Sequence, residues 1–411
     1  MDFMQQVQRI VGLLFAICYA YQVFYLIVPL LWRDKLHKPT VYHRYAVLIC
    51  ARNESAVIGH LVDSLRKQDY PSDLVTIFVA ADNCTDDTAQ AAREHGAVVY
   101  ERFNRQLVGK GYAMEFLLEK IQRDYGSQFD GFFVFDADNL LQPDYIRQMN
   151  RTFTDGYSIV TSYRSSKNYG DNWISAGYGL WFLREAAFLN HPRFLLGTSC
   201  AVSGTGFLFS REVLEKHGGW RFHLLTEDIE FTVASILKDE TIGYCPDAVF
   251  FDEQPVTFRQ SWRQRMRWAK GYLQVFHRYG WQLVRGGSFA CFDMMMAIIP
   301  AIGLTVVSLV ASGATAVALA LAGKSLLPVG LALLRTVLDL YLGLLALGAL
   351  TTATQWKQIR ASTGKKLLYT LTFPLFMMTY LPISFAALFR KVEWKPIEHR
   401  VAVSLQELPR N

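Results

Sequence analysis

The sequence predicts an α/β domain with a mainly parallel sheet, inserted between membrane-crossing helices. Two observations carry this expectation. Apolar residues make up 51% of the 411-residue chain, but the excess gathers at the N-terminus and after residue 288. Between those regions, short apolar runs alternate with helical stretches, and acidic residues stand where the runs end.

Ile10–Trp32 runs about 23 residues without a charge, enough to cross a hydrocarbon core of about 30 Å. It exceeds the usual core of a signal peptide and shows no convincing cleavage site, so an anchor is expected. Arg33, Lys35, Lys38 and Arg44 follow it, against Arg9 in front, which places the next domain in the cytoplasm. Phe289–Ala322 and Ser325–Thr352 read as two further spans. Within the second, Arg335 and Asp339 are spaced to pair and to face protein or water. Leu367–Phe389 is apolar but carries Pro374 and Pro382, with basic residues on both sides; a kinked or re-entrant course would keep both clusters on one side.

In the soluble region, Tyr45–Cys50, Thr76–Ala81 and Phe132–Phe135 read as buried strands. Helices are expected near Ala56–Gln68, Asp86–Glu94 and Gly109–Tyr125, with Thr85 as the cap of the second. Such an alternation places a ligand beyond the carboxyl ends of the strands. Asp82 and the pair Asp136 and Asp138 fall there, and two carboxylates at i and i+2 can present oxygen to a hard cation. Alone, that pair would read as a solvated turn. Further on, Thr226-Glu227-Asp228 adds two acids, and Gln264-Arg265-Met266-Arg267-Trp268 supplies an amide, two guanidiniums and an indole. Arginine clamps a diphosphate and tryptophan stacks a sugar ring. Arg259, Arg263 and Arg267 also recur at helical spacing, as in an amphipathic helix on a bilayer surface.

The formal charge of +6, concentrated around Arg259–Lys270, points to anionic lipid or phosphate and away from nucleic acid. Six scattered cysteines without CxxC spacing read as free thiols. Gly109-Lys110-Gly111 lacks the spacing of an ATP-binding loop. His191, His217 and His223 lack metal-ligand spacing, and the aromatic stretch around Trp181 reads as helix packing.

Ala51-Arg52-Asn53-Glu54, Asp82, Asp136/Asp138, Thr226-Glu227-Asp228 and Gln264-x-x-Arg267-Trp268 occur in one order over about residues 45–270. In this they resemble the inverting family 2 glycosyltransferases of GT-A fold, and within them the membrane-integrated cellulose, hyaluronan, poly-N-acetylglucosamine and chitin-oligosaccharide synthases. The resemblance implies hexose or N-acetylhexosamine transfer from a UDP-sugar, UDP-GlcNAc or UDP-glucose, to a growing β-linked polysaccharide, with Mg²⁺ or Mn²⁺. It implies that Ala51, Arg52, Asn53, Glu54, Asp82, Lys110 and Asp136 bind the nucleotide-sugar. Asp138, with Asp136, would hold the metal. Asp228 would be the general base, with Glu227 tuning it, and Gln264, Arg267 and Trp268 would bind diphosphate and acceptor. Gly204, Thr205 and Gly206 match an acceptor-lining segment, or else form a tight turn.

The expected layout is an anchor at 1–32, a cytoplasmic GT-A domain at 33–255 and interfacial helices at 256–288. A membrane region at 289–390 and a tail at 391–411 follow, in a multi-pass protein of the cell membrane. Trp394-Lys395-Pro396-Ile397 is a candidate gating segment returning to the active site, and an accessory membrane subunit is an open partner. Transfer of one sugar to a lipid or lipid-linked acceptor, and a non-catalytic nucleotide-sugar-binding or glycan-conducting protein, stand as alternatives.

Overall fold

A computed structural model describes residues 2–32, 37–298, 300–323, 325–394, 399 and 401–408. Arg33, Lys35, Lys395, Pro396 and Ile397 lie outside the described residues. Eight strands form one sheet: β1 (Tyr45–Ala51), β2 (Val75–Asp82), β3 (Val98–Arg102), β4 (Gly131–Asp136), β5 (Leu140–Leu141), β6 (Ile159–Ser166), β7 (Phe207–Ser210) and β8 (Ile242–Asp252), in the order β3-β2-β1-β4-β7-β6-β8-β5. Pairings β1–β2, β1–β4, β2–β3 and β6–β8 are parallel; β7 runs antiparallel to both β4 and β6.

The strand sequences follow from burial on both faces. In β1 and β4, Ala46, Leu48, Phe132 and Val134 pack into one core, while Tyr45, Val47, Ile49, Phe133 and Phe135 pack into the other. Successive side chains point to opposite faces, so a sheet covered on both sides has no polar alternation to show. Because β7 reverses twice between β4 and β6, the strands β1, β2, β4, β6 and β8 all end at one edge. That edge gathers Asp82, Asp136 and Asp252, the last residues of β2, β4 and β8.

Three helices stand close to expectation, at Ile58–Arg66, Thr88–Glu94 and Lys110–Tyr125. The expected Thr85 cap is not formed. The helix begins three residues later, where Asp86 Oδ1 accepts from the Thr88 backbone N–H at 3.1 Å, and the Thr85 N–H goes instead to Asn53 Oδ1 at 2.8 Å. The amphipathic region is one long helix, Phe258–Arg285.

Among the described residues, three helical segments are long and apolar enough to cross a membrane: Arg9–Leu31, Val329–Thr354 and Thr363–Phe389. Within the span expected at Phe289–Ala322, the described residues form the helical segments Phe289–Ile298 and Pro300–Leu321, with residue 299 outside the described residues. Arg335 and Asp339 do pair, at 3.7 Å, with both side chains exposed. Thr363–Phe389 touches the soluble domain at both ends. Lys365 Nζ donates to the Gly170 carbonyl at 2.7 Å, and Lys270 Nζ to the Ala387 carbonyl at 3.1 Å. At its middle, where Thr363–Met378 gives way to Tyr380–Phe389, buried Arg265 donates to the Phe376 carbonyl at 3.1 Å and to Thr379 at 2.7 Å. All six cysteines are free, as expected.

Candidate active site

The cleft beyond the strand ends, about 1380 Å³ including its open mouth, is lined by residues from every motif singled out in the sequence. Ala51, Arg52, Glu54, Asp82, Lys110, Asp136, Asp138, Gly204, Glu227, Asp228, Gln264, Arg267 and Trp268 all face it. Asn53, Thr205 and Gly206 do not line it; they act behind the wall.

At the β1 end, Asn53 takes a left-handed backbone (φ 58°), and its side chain ties this turn to Thr85. Glu54 Oε1 and Oε2 lie 2.9 and 3.0 Å from His399 Nδ1. Asp82 is buried and receives Arg102 Nη1 at 2.6 Å and Asn83 Nδ2 at 2.9 Å. Arg102 ends β3, directly opposite Asp82 in the parallel register, so the sheet itself delivers this pair.

Lys110 opens its helix at the floor of the cleft. Its ammonium pairs with Asp136 and donates to the Gly204 carbonyl at 2.7 Å. Burial opposes the charge, but Asp136 and Glu227 outweigh it and raise Lys110 above an ordinary lysine. The Asp136 backbone N–H donates to Thr205 Oγ1 at 2.9 Å and to Asn139 Oδ1 at 3.2 Å, which fixes the turn carrying the two carboxylates. Gly204 and Gly206 have φ of +78° and +66°. A Cβ on Gly206 would lie 2.2 Å from the Phe250 ring, so this segment needs glycine for conformation and space alike.

Asp138 accepts from the Glu253 N–H at 2.7 Å. Burial works against its ionisation, but His399 and Lys167 hold its carboxyl below the usual range. His399 is itself driven up to about 10, because Asp138 and Glu54 outweigh its burial. Among the described residues, no three His, Cys, Asp or Glu side chains stand grouped to hold a metal ion. The oxygen donors nearest that role are Asp136 and Asp138 on their shared turn.

Glu227 and Asp228 also line the cleft and begin the helix Glu227–Ile236. Burial and the adjacent Asp228 charge push Glu227 up to about 7, against the pull of Lys110 and Arg267. Burial likewise raises Asp228. Arg267 Nη1 donates to the Leu225 carbonyl at 3.0 Å, fastening the long helix to this turn. Trp268 packs edge-on against Tyr178 at 5.7 Å.

Several lining residues escaped the sequence reading. Arg164 pairs with Asp252 and lies 3.6 Å over the Phe182 ring. Burial pushes Asp252 up to about 6 despite Arg164, and among the described residues its Oδ1 has no hydrogen-bond partner. Asp252 ends an apolar strand as Asp136 does, so the same signal was present. Trp181 and Glu185 line the cleft from the helix Trp173–Glu185, and Tyr272 from Phe258–Arg285. From the tail, Trp394 stacks with the Arg52 guanidinium 5.5 Å from its ring, and the Val401 N–H donates to Glu253 at 2.9 Å. Nothing in the local sequence marks His399.

Comparison with known proteins agrees with this arrangement. A family profile described as glycosyltransferase-like family 2 matches residues 43–271. The β-monoglucosyldiacylglycerol synthase of Synechocystis sp. is 28% identical over 257 residues, 61% of this chain and 52% of that one. The poly-β-1,6-N-acetyl-D-glucosamine synthase of Staphylococcus epidermidis is 24% identical over 257 residues, 62% of this chain and 61% of that one. The chain thus spans about half to three fifths of the length of these relatives. Among solved structures, a mannosyltransferase from Pyrobaculum calidifontis, in complex with GDP-Man and Mn²⁺, shares the fold. Its TM-score is 0.61 at 20% identity, covering 93% of this chain and 99% of that one. With a GT-A-like sheet and a family match over more than half its length, the chain belongs to glycosyltransferase family 2.

Proposed function

We propose that the chain transfers a hexose or N-acetylhexosamine from a UDP-sugar, with inversion, to a hydroxyl of a membrane-held glycan. The observation that carries this reading is one cleft that gathers an acid raised by burial, Asp228, together with Asp136 and the cations Arg52, Lys110, Arg164 and Arg267. In a single displacement the acceptor oxygen bonds to the anomeric carbon as the bond to the diphosphate breaks, and the electron pair leaves with the diphosphate. Asp228 takes the acceptor proton. Lys110, Arg164 and Arg267 offset the charge on the departing group.

Asp138 and Asp136 would hold Mg²⁺ or Mn²⁺, whose hard-oxygen preference their carboxylates meet; the buried, ionised Asp138 fits that need. The cation would supply charge neutralisation at the diphosphate. The similar Pyrobaculum enzyme was solved with Mn²⁺ and GDP-Man, so a GDP-sugar belongs in any donor panel.

Membrane placement follows the same lines. The soluble domain lies in the cytoplasm, with Arg9–Leu31 as anchor. The contacts at both ends of Thr363–Phe389 favour a re-entrant course, which keeps Lys365, Lys366, Arg390 and Lys391 on one side. A lipid acceptor is the second reading, favoured because the Trp181 ring, in the cleft wall, sits 6.2 Å from Tyr380 in that apolar segment. The Synechocystis relative is named for a glycolipid and the Staphylococcus relative for a polysaccharide. Product analysis separates the two: a ladder of lengths on a gel supports polymer growth, a single glycolipid spot supports lipid transfer. An α-configured product by NMR would defeat the inverting mechanism.

A further inference from the structure

The cleft is also lined by the Glu185 carboxylate and the Gln264 amide oxygen, the latter buried without a hydrogen-bond partner among the described residues. Buried acceptors without donors are uncommon in a finished structure. They call for a ligand that brings O–H groups.

We propose that Glu185, Trp181 and Tyr272 form an acceptor subsite that takes neighbouring hydroxyls of a sugar ring or polyol. Trp181 and Glu185 stand four residues apart on one helix, so both project to the same face. Immediately after Glu185 the chain makes a π-helical turn, Ala186–Asn190, a local irregularity frequent beside functional sites. The turn ends the regular helix with Glu185 in the cleft wall.

One oxygen of Glu185, Oε1, accepts the Ser203 hydroxyl. Among the described residues no donor bonds its other oxygen. Ser203 precedes Gly204, whose missing side chain faces Asp228: a Cβ there would lie 3.7 Å from Asp228 Oδ2. The Glu185–Ser203–Gly204 path thus ends beside the proposed base. Tyr272, on the long helix, lines the same cleft as Glu185 and Asp228. A molecule whose hydroxyl meets Asp228 can thus present a second hydroxyl to Glu185 across the Ser203–Gly204 step. The Trp181 ring, packed 6.2 Å from Tyr380 with the Arg184 guanidinium 5.2 Å over it, lines the same cleft and can take the C–H side of a sugar ring.

This subsite rests on the transferase reading. Glu185 accepts a hydrogen bond from the acceptor and takes no proton; Asp228 does that. The ligand chemistry can come from a lipid headgroup or from a glycan end. The test uses the full chain in phosphatidylglycerol vesicles with one UDP-sugar and three arms: no added acceptor, diacylglycerol in the vesicle, and a soluble chito-oligosaccharide. The wild type's preferred arm identifies the source. In Glu185→Gln, which keeps an oxygen for Ser203, the ratio of transfer to donor hydrolysis should fall roughly tenfold or more, carried by the acceptor KM. Trp181→Ala should raise the acceptor KM as well, with Trp181→Phe recovering most of it. Transfer and hydrolysis falling in parallel in Glu185→Gln, or an acceptor KM within twofold of wild type, would overturn the subsite. So would a wild type that hydrolyses donor but uses neither acceptor. A wild type that consumes no UDP-sugar in any arm would instead refute the transferase reading beneath it.

Discussion

Replacing Glu227 with Gln should move the acid limb of the pH–rate profile to lower pH while leaving the proposed base in place. Glu227 is pushed from 4.5 up to about 7 by burial first and by the neighbouring Asp228 charge second. Burial is the larger cause, and Lys110 and Arg267 pull the other way. Repulsion between two like charges is mutual, so the two carboxyls titrate as a pair and the acid limb belongs to both. A base must be ionised, so wild-type kcat/KM should fall as pH drops through that limb. Gln keeps the shape and removes the like charge; the limb should then move to lower pH, by on the order of one unit for two coupled acids. The assay is nucleotide release in proteoliposomes at a saturating metal concentration, read as kcat/KM for donor from pH 5 to 9. A limb that stays within a few tenths of its wild-type position would refute the coupling of the two acids.

Other perturbations follow from particular contacts. Arg193 and Asp293 are paired at 2.7 Å, both almost fully buried, with Tyr21 and Tyr25 donating to Asp293 at 2.8 Å. Arg193→Met should destabilise by about 3–5 kcal/mol, and adding Asp293→Asn should recover part of the loss, measured by thermal unfolding in detergent. A Cβ at Gly111 would lie 2.0 Å from the Phe222 carbonyl oxygen, so Gly111→Ala must displace the helix that begins at Lys110. It should raise the donor KM or prevent folding, whereas Gly364→Ala, with open space around it, should melt like wild type. Treatment with EDTA should abolish nucleotide release and Mn²⁺ or Mg²⁺ should restore it; release that persists in EDTA would exclude the proposed role of Asp136 and Asp138.

Legibility in the sequence tracked how local each signal was. Strands β1, β2 and β4 were readable because parallel strands buried on both sides are continuous apolar runs, and the acids that end β2 and β4 fell at the ligand edge by that fact alone. Strand β6 was missed: Ile159–Ser166 carries Thr161, Ser162, Arg164 and two further serines, polar groups whose partners come from β8 and the glycine turn. Asp252 became a site residue only because β6 and β8 pair in parallel and bring Ser166 opposite it. Glu185 and His399 had no signal at all, since each reaches the cleft through tertiary packing. Trp181 was read as packing and is packed against Tyr380, yet the same ring lines the cleft. Membrane segments were readable as composition, but the double attachment of Thr363–Phe389 depends on contacts that composition does not carry.

The most direct measurement incubates the purified chain in lipid with Mg²⁺ or Mn²⁺ and a panel of UDP- and GDP-sugars, following nucleotide release beside an Asp228→Asn control. Release from one donor that falls by about a hundredfold or more in the control is the result expected of a proposed general base. Equal release from wild type and control would contradict the role of Asp228, and no release with any donor would contradict transferase chemistry in this cleft.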